Sequence, residues 1–461
     1  MRHGAVILVL LAAASPAAAQ NAPQEENSDL NLIPGAVEKA PPPAAQPAGH
    51  GKYFLEDAFG LYSFRGSFAV PYPSPTPSRW ADRLSFDMLD QWTLAPRLTA
   101  SFSDRLSVSE ADGIGFPEES VRNDPREAYL TWEALPETYL EAGRINLRYG
   151  VAYGFNPTDF FRARTSVAQS SADPSALRNN RLGTAMIRAQ RIFDGGSLEF
   201  VYAPKLHTPA PLYAVADPVD PKFDQTNDAD RFLFAYSFKL EEFSPQVLIT
   251  HESGRTRLGL NLSHPVGDSI IAYLSWAGGA APGVTADAIA FGKRTGTLPS
   301  FAPLLPPAST SRIFRNEISA GASWTSEYNV TVMAEYNFNQ AGFSKDDWRN
   351  WFAIGADPVL APEMWYIRGY ASDRQLPMSR HQAFADISWS EPFDIENFSL
   401  SGFALGNLSD GSTMCQVGLN YDISDTWSLG AYLTGSTGGK RSEWGSMSNA
   451  ASAIVSLVRY L

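Results

Sequence analysis

Arg231-Phe-Leu-Phe-Ala-Tyr-Ser-Phe-Lys-Leu240 decides the architecture. Phe232, Phe234, Tyr236, Phe238 and Leu240 share one parity; Arg231, Ala235, Ser237 and Lys239 share the other. Successive side chains of an extended strand point to opposite faces, so this decapeptide has one greasy face and one largely polar one. The pattern returns at 328–338, where Val330, Val332, Ala334, Tyr336 and Phe338 oppose Asn329, Thr331, Glu335 and Asn337. At 256–263 Leu258, Leu260 and Leu262 oppose Arg257, Gly259, Asn261 and Ser263.

Outward from these segments the same unit repeats, giving about eighteen predicted strands between residues 60–70 and 451–461, with sixteen as the alternative. The connections alternate in size. Short ones at Thr93–Pro96, Leu135–Pro136, Asp194–Gly195, Glu241–Ser244, His264–Asp268, Thr325–Glu327, Glu391–Glu396 and Asp422–Thr426 define one rim. Long ones at 150–182, 205–230, 278–311, 339–379 and 435–450 define the other. Alternating strands with unequal rims specify an all-β, antiparallel, up-and-down transmembrane barrel. An even strand number returns both termini to the tight-turn rim. A soluble sandwich would also alternate, but it has no use for aromatics at strand ends such as Trp132, Trp276, Trp324, Trp389 and Trp427. Membrane interfaces do.

The ends fit export. Arg2 and His3, the apolar run Ala5–Ala14 and the small residues Ala17–Ala19 read as a signal peptide over residues 1–19. Its apolar run is too short to span a bilayer as a helix, for which about 20 residues are needed. Residues 20–55, rich in Ala and Pro, read as a periplasmic leader, and 56–461 as one barrel domain. The expected location is a bacterial outer membrane, with its lipid and lipopolysaccharide as surroundings. The C-terminal row Ala453, Val455, Leu457 and Leu461 resembles the signals read by barrel-assembly machinery, although Arg459 interrupts it.

Composition narrows the functions. A net charge of -13 argues against a nucleic-acid partner, for which a basic face is expected. The single cysteine, Cys415, excludes an internal disulfide and shares its parity with Val417, Leu419 and Tyr421, so it should face lipid. Aromatics at 12% with a mean hydropathy of -0.19 suit a barrel that is polar inside and apolar outside. No cofactor is implied. His207, His264 and His381 form no metal spacing, and Asp346-Asp347 alone make a weak cation site.

The strongest local bias is basic. Arg144, Arg148, Arg162, Arg164, Arg178, Arg181, Arg188 and Arg191 lie in a stretch whose acids are Asp159 and Asp173. Leu140 and Ala142 point outward before Gly143, and Ile145, Leu147 and Tyr149 after it, a change of parity that predicts a bulge there; Arg144, Asn146 and Arg148 would then face the lumen with Arg188 and Gln190. Rings of arginine favour anions. Pairing with Glu127, Glu133 or Glu199 would instead make the same arginines wall braces. The following loop carries the turn former Asn156-Pro-Thr-Asp159, then Arg162 and Arg164, and is a candidate to fold inward and narrow the pore. Ser344, followed by Asp347, Trp348, Trp351 and Phe352, predicts a capped helix ending at Gly355 in an outer loop.

His251-Glu-Ser253 resembles the His-x-Ser arrangement of outer-membrane phospholipase A, which implies an outer-leaflet lipid esterase as a remote third reading. Asn261 has the wrong parity to orient that histidine. Gly143–Gly150 leading to Asn156–Phe161, and Glu335–Gly342 leading to the Trp-rich helix, resemble a group of proteobacterial outer-membrane barrels of porin type. The strand number and the arginine-bearing wall are similar to those of alginate-export porins. That resemblance implies polysaccharide export. Three expectations follow: a non-enzymatic channel for anionic solutes or an anionic polysaccharide, a barrel plugged by loops 150–182 and 339–379, and the esterase.

Overall fold

The computed structural model describes residues 51–66, 78–111, 121–212, 220–240, 243–303, 305 and 309–461. The expected signal peptide and most of the expected leader lie outside the described residues. The first strands are β1 (Lys52–Phe64), β2 (Trp80–Ala95), β3 (Leu98–Ala111), β4 (Val121–Leu135), β5 (Thr138–Ile145) and β6 (Thr184–Phe193). Next come β7 (Gly196–Ala203), β8 (Arg231–Phe238), β9 (Gln246–Glu252), β10 (Arg255–Val266), β11 (Ile270–Ala281) and β12 (Ile313–Thr325). The wall ends with β13 (Val330–Asn339), β14 (His381–Ser390), β15 (Phe398–Asn407), β16 (Thr413–Ser424), β17 (Trp427–Thr437) and β18 (Asn449–Tyr460). Every strand pairs antiparallel with its sequence neighbours, and β1 closes the barrel on β18 with Phe54 opposite Tyr460. Among the described residues, closure leaves no strand edge unpaired, as the bilayer requires.

Parity sorts the two faces as expected. On β8, Arg231, Leu233, Ala235 and Ser237 are buried inside, while Phe232, Phe234 and Phe238 are exposed outside. Cys415 is on the exposed face. Arg459 also points outward, at the tight-turn rim, and its guanidinium lies 5.5 Å from the Trp427 ring. A cation held over an interfacial tryptophan explains how the C-terminal row tolerates an arginine.

Two expectations need correction. The barrel starts earlier than residue 56, since Lys52–Leu55 already pair in β1. Glu56 and Asp57 put a carboxylate on each face and hide the alternation there. The bulge also lies elsewhere. β5 pairs without a break through Gly143 to Ile145, whereas the register of β3 with β4 slips between Ser103 and Asp104, with Arg126 as the extra residue.

Helices occupy the long-loop rim. α1 (Pro174–Asn179) lies in the β5–β6 connection and α2 (Phe223–Thr226) in the β7–β8 connection. α3 (Val284–Thr295) follows β11, and α4 (Lys345–Ile354) and α5 (Ala361–Asp373) follow β13. Ser344 and Asp347 form the expected reciprocal cap of α4, and Gly355 ends it. Trp348, Trp351 and Phe352 join Leu212, Phe291, Met364, Ile367 and Met378 in one buried core that unites three outer loops.

Candidate functional site: an inward loop and a charged wall

Residues 146–183 turn into the barrel. After Ile145 the chain leaves the wall and presents Ile145, Leu147, Tyr149 and Phe161 to Met186, Val201, Leu233 and Leu248, all of inward parity. This overturns the expectation that Ile145, Leu147 and Tyr149 face lipid. Their burial at 5%, 7% and 5% is won against the inner wall instead. Removing such apolar surface from water is the main force seating the loop.

From that seat the loop runs into the lumen and is tied to β10, β12, β13, β16 and β1. Glu335 of β13 accepts the amides of Tyr153 and Gly154, the latter at 2.8 Å, and the Tyr273 hydroxyl at 2.9 Å. Thr158 Oγ1 donates to Asn261 Oδ1 at 2.7 Å. Arg162 reaches Glu317 at 3.3 Å. The Ser170 hydroxyl donates to Glu56 of β1, and Ala172 N to Gln416 of β16 at 2.7 Å.

The predicted loop residues mostly serve the loop itself. Asn156 Nδ2 closes the turn onto Ala152 O at 2.9 Å. Asp159 is held by Arg181 at 2.7 Å and by Arg178 at 3.7 Å. Burial opposes its charge, but Arg181 and Arg178 outweigh burial and keep its carboxyl below the usual range. Arg164, in a left-handed backbone conformation, pairs with Asp373 at 3.1 Å and lies 5.3 Å from the Phe291 ring, joining the inward loop to the outer core.

Among the predicted wall residues, Arg188 and Gln190 have inward parity on β6. Arg188 sits between Glu141 at 2.8 Å and Glu199 at 2.5 Å, which is the bracing arrangement. Arg144 takes the opposite parity to Glu141; its guanidinium bends to Pro125 O and Pro221 O and stacks 4.9 Å from Phe223. Asn146 accepts from Arg181 at 2.8 Å, and the exposed Arg148 bonds Asn179.

The largest inward group of arginines was missed in the sequence. Arg83 of β2, Arg105 of β3 and Arg126 of β4 stand side by side, interleaved with Glu56 and Asp87. Arg105 is 2.9 Å from Asp87 and 3.2 Å from Glu56, and Arg126 is 2.8 Å from Asp87. Arg122 and Lys222 extend the group around Asp124 at 2.8 and 2.6 Å. The missed cue was inward parity, which Arg83 and Arg105 share with Ser85 and Ser107.

The His251–Ser253 pair is not assembled. His251 Nδ1 lies 3.0 Å from Thr256 Oγ1, its cross-strand partner, and Ser253 occupies a left-handed turn.

Among solved structures, Pseudomonas aeruginosa OccK5 (OpdH) is similar over 89% of this chain and 97% of that one, with a TM-score of 0.51 and 9% identity. The fold is a porin-type barrel. P. aeruginosa OccK11 (OpdR) is similar over 89% of this chain and 95% of that one (TM-score 0.48, 11% identity). An engineered Rhodopseudomonas blastica porin covers 89% and 99% (TM-score 0.40, 9% identity). No family model and no curated protein matches the sequence.

Proposed function

We propose that this porin-type barrel is an outer-membrane channel that favours anions, its lumen narrowed by the inward loop 146–183 where that loop packs on the arginines of β2–β4. The observation carrying this reading is the side-by-side placement of Arg83, Arg105 and Arg126 on the inner wall, where the inward loop meets them through Ser170 Oγ at 3.0 Å from Arg83 and Ala168 O at 3.1 Å from Arg105. Arg83, Arg105, Arg122, Arg126 and Lys222 outnumber Glu56, Asp87 and Asp124 in this group, and a net fixed charge along a confined aqueous path raises the local concentration of the opposite ion. Small anionic solutes fit this path better than a polysaccharide, because the loop is anchored on both sides. Reversal potentials of the purified protein in planar bilayers under a KCl gradient test it: chloride preference is expected, and potassium preference ends the anion reading.

A second reading, a barrel closed by its loops, is favoured by one specific set of contacts. Arg368 of α5 lies within about 5.5 Å of the Trp348, Trp351 and Trp365 rings and donates to Glu443 O at 2.9 Å and Ser446 Oγ at 2.7 Å. It therefore locks the β13–β14 loop to the β17–β18 loop. Currents that emerge only after residues 356–379 are deleted would favour this closed state as the resting one.

A further inference from the structure

At the long-loop rim, a cavity of about 220 Å³ lies between the start of α3, the first turn of β12 and the entry to β14. We propose that it binds a phosphate-type oxyanion. α3 is a twelve-residue helix whose N-cap, Gly283, offers no side chain to its first turn. The amides of Thr285 and Ala286 belong to that turn and have no intrahelical acceptor, and the helix dipole adds positive potential at this end.

The second observation is independent of the helix. Thr285 is 1% exposed, lines the cavity, and its Oγ1 has no hydrogen-bond partner among the described residues. The buried Nε of Arg380, across the same cavity, is likewise without a partner. Buried polar groups are rarely left unpaired, so two on residues that line one cavity point to a ligand.

The charges agree. Arg315 and Arg380 both line the cavity, with Asp347 as the one carboxylate among the described lining residues. Asp347 is 3.5 Å from Arg380 and is already engaged by the amide and hydroxyl of Ser344 at 2.8 and 2.7 Å. Arg315 uses its Nε on Ala281 O at 2.9 Å and Nη1 on Gln340 O at 3.4 Å. Asp287, also in the first turn of α3, is neutralised by Arg255 at 2.8 and 2.9 Å. Donors thus converge from a helix terminus and from two arginines in different directions. That suits a tetrahedral oxyanion better than a planar carboxylate.

Arg315 has the inward parity of Glu317 and Ser319 on β12, which places the site on the solute path rather than on the lipid face. A phosphorylated solute would be held at the mouth before reaching the loop.

Calorimetric titration of the full-length protein in detergent with inorganic phosphate tests the site without any current, so its failure and that of the channel are separable. One saturable site is expected, at least tenfold weaker in Thr285→Val and lost in Arg380→Gln, with both variants keeping the heat-modifiable migration of a folded barrel. Absence of saturable binding in the parent overturns the proposal. So does unchanged affinity in both Arg380→Gln and Arg315→Gln. Displacement of phosphate by glucose 6-phosphate assigns the group to a solute, and displacement by lipopolysaccharide alone assigns it to the outer-leaflet lipid; either supports the site.

Discussion

The inner wall has two unlike halves. β7–β9 present Val201, Ala203, Leu233, Ala235 and Leu248 to the inside, an apolar strip already filled by the inward loop. β2–β4 present Ser85, Asp87, Ser103, Arg105, Asp124 and Arg126, a strip of charge and hydroxyl that the loop meets through hydrogen bonds such as Arg105 to Ala168 O at 3.1 Å. Apolar contact holds the loop over its whole area, while hydrogen bonds hold it only at the points where a donor meets an acceptor. On the channel reading proposed above, the first half is the main seat of the loop and the second carries the charge that selects the ion. Conductance should depend on the first and selectivity on the second.

The largest effect is expected from unseating the loop. Phe161 is 2% exposed within the apolar cluster and lies 5.6 Å from Arg231. Phe161→Ala should weaken the loop's attachment by about 3–5 kcal/mol, the usual effect of truncating a buried phenylalanine. Single-channel conductance should rise at least about twofold as the loop leaves the lumen, on the scale of that loss. A folded variant with unchanged conductance would break the comparison, because the apolar strip would then not be what narrows the path.

The charged half is tested by Arg105→Gln. This leaves Asp87 and Glu56 facing the lumen with one positive partner fewer, and an unmatched buried charge is disfavoured by about 3–5 kcal/mol. The ratio of chloride to potassium permeability should fall several-fold while conductance changes little. Arg83→Gln, whose contact with Glu56 is longer at 3.7 Å, should shift the ratio in the same direction by less. Equal shifts from Arg188→Gln would move the conduit to the other side of the barrel.

How far the sequence carried this picture follows from where period-two alternation is clean. Eighteen strands and the unequal rims were legible because nearly every strand has lipid on one face, and lipid imposes a simple rule. β1 was displaced because Glu56 and Asp57 break that rule. The inner face has no such rule. It accepts Leu233 beside Arg231, since whatever the loops bring inside decides what is buried. Ile145, Leu147 and Tyr149 were therefore assigned to lipid when they belong to the loop seat, and the expected bulge at Gly143 was an artefact of that assignment. Arg83, Arg105 and Arg126 are scattered over some forty residues of sequence and become neighbours only through strand pairing.

The outer-loop core combines the two kinds of contact, and its polar part should respond to pH. Burial pushes the Glu443 carboxyl up to about 7, with the Ser379 hydroxyl and Arg368 acting in the opposite direction. A carboxyl whose pKa is higher in the folded loop supports that fold when protonated. This support is complete below about pH 4.5 and is lost as pH rises through about 7, a span worth about 3 kcal/mol. Protease cleavage within 340–380 should therefore accelerate between pH 5 and 8, and Glu443→Gln should remove the dependence. Acceleration on acidification would reverse the assignment.

The smallest effect separates a single polar tie from the apolar seat. Thr158 is fully buried, and its hydroxyl donates to Asn261 Oδ1, which also accepts from Ser275 Oγ at 2.8 Å. Thr158→Val keeps the shape and removes one donor, and because Asn261 retains Ser275 no acceptor is orphaned. The net loss should be about 1 kcal/mol, the ordinary worth of one hydrogen bond. The melting temperature should fall by a few degrees at most, with conductance and selectivity unchanged. Should Thr158→Val open the pore as far as Phe161→Ala does, the loop would be held by its polar ties, and the apolar strip would be filler.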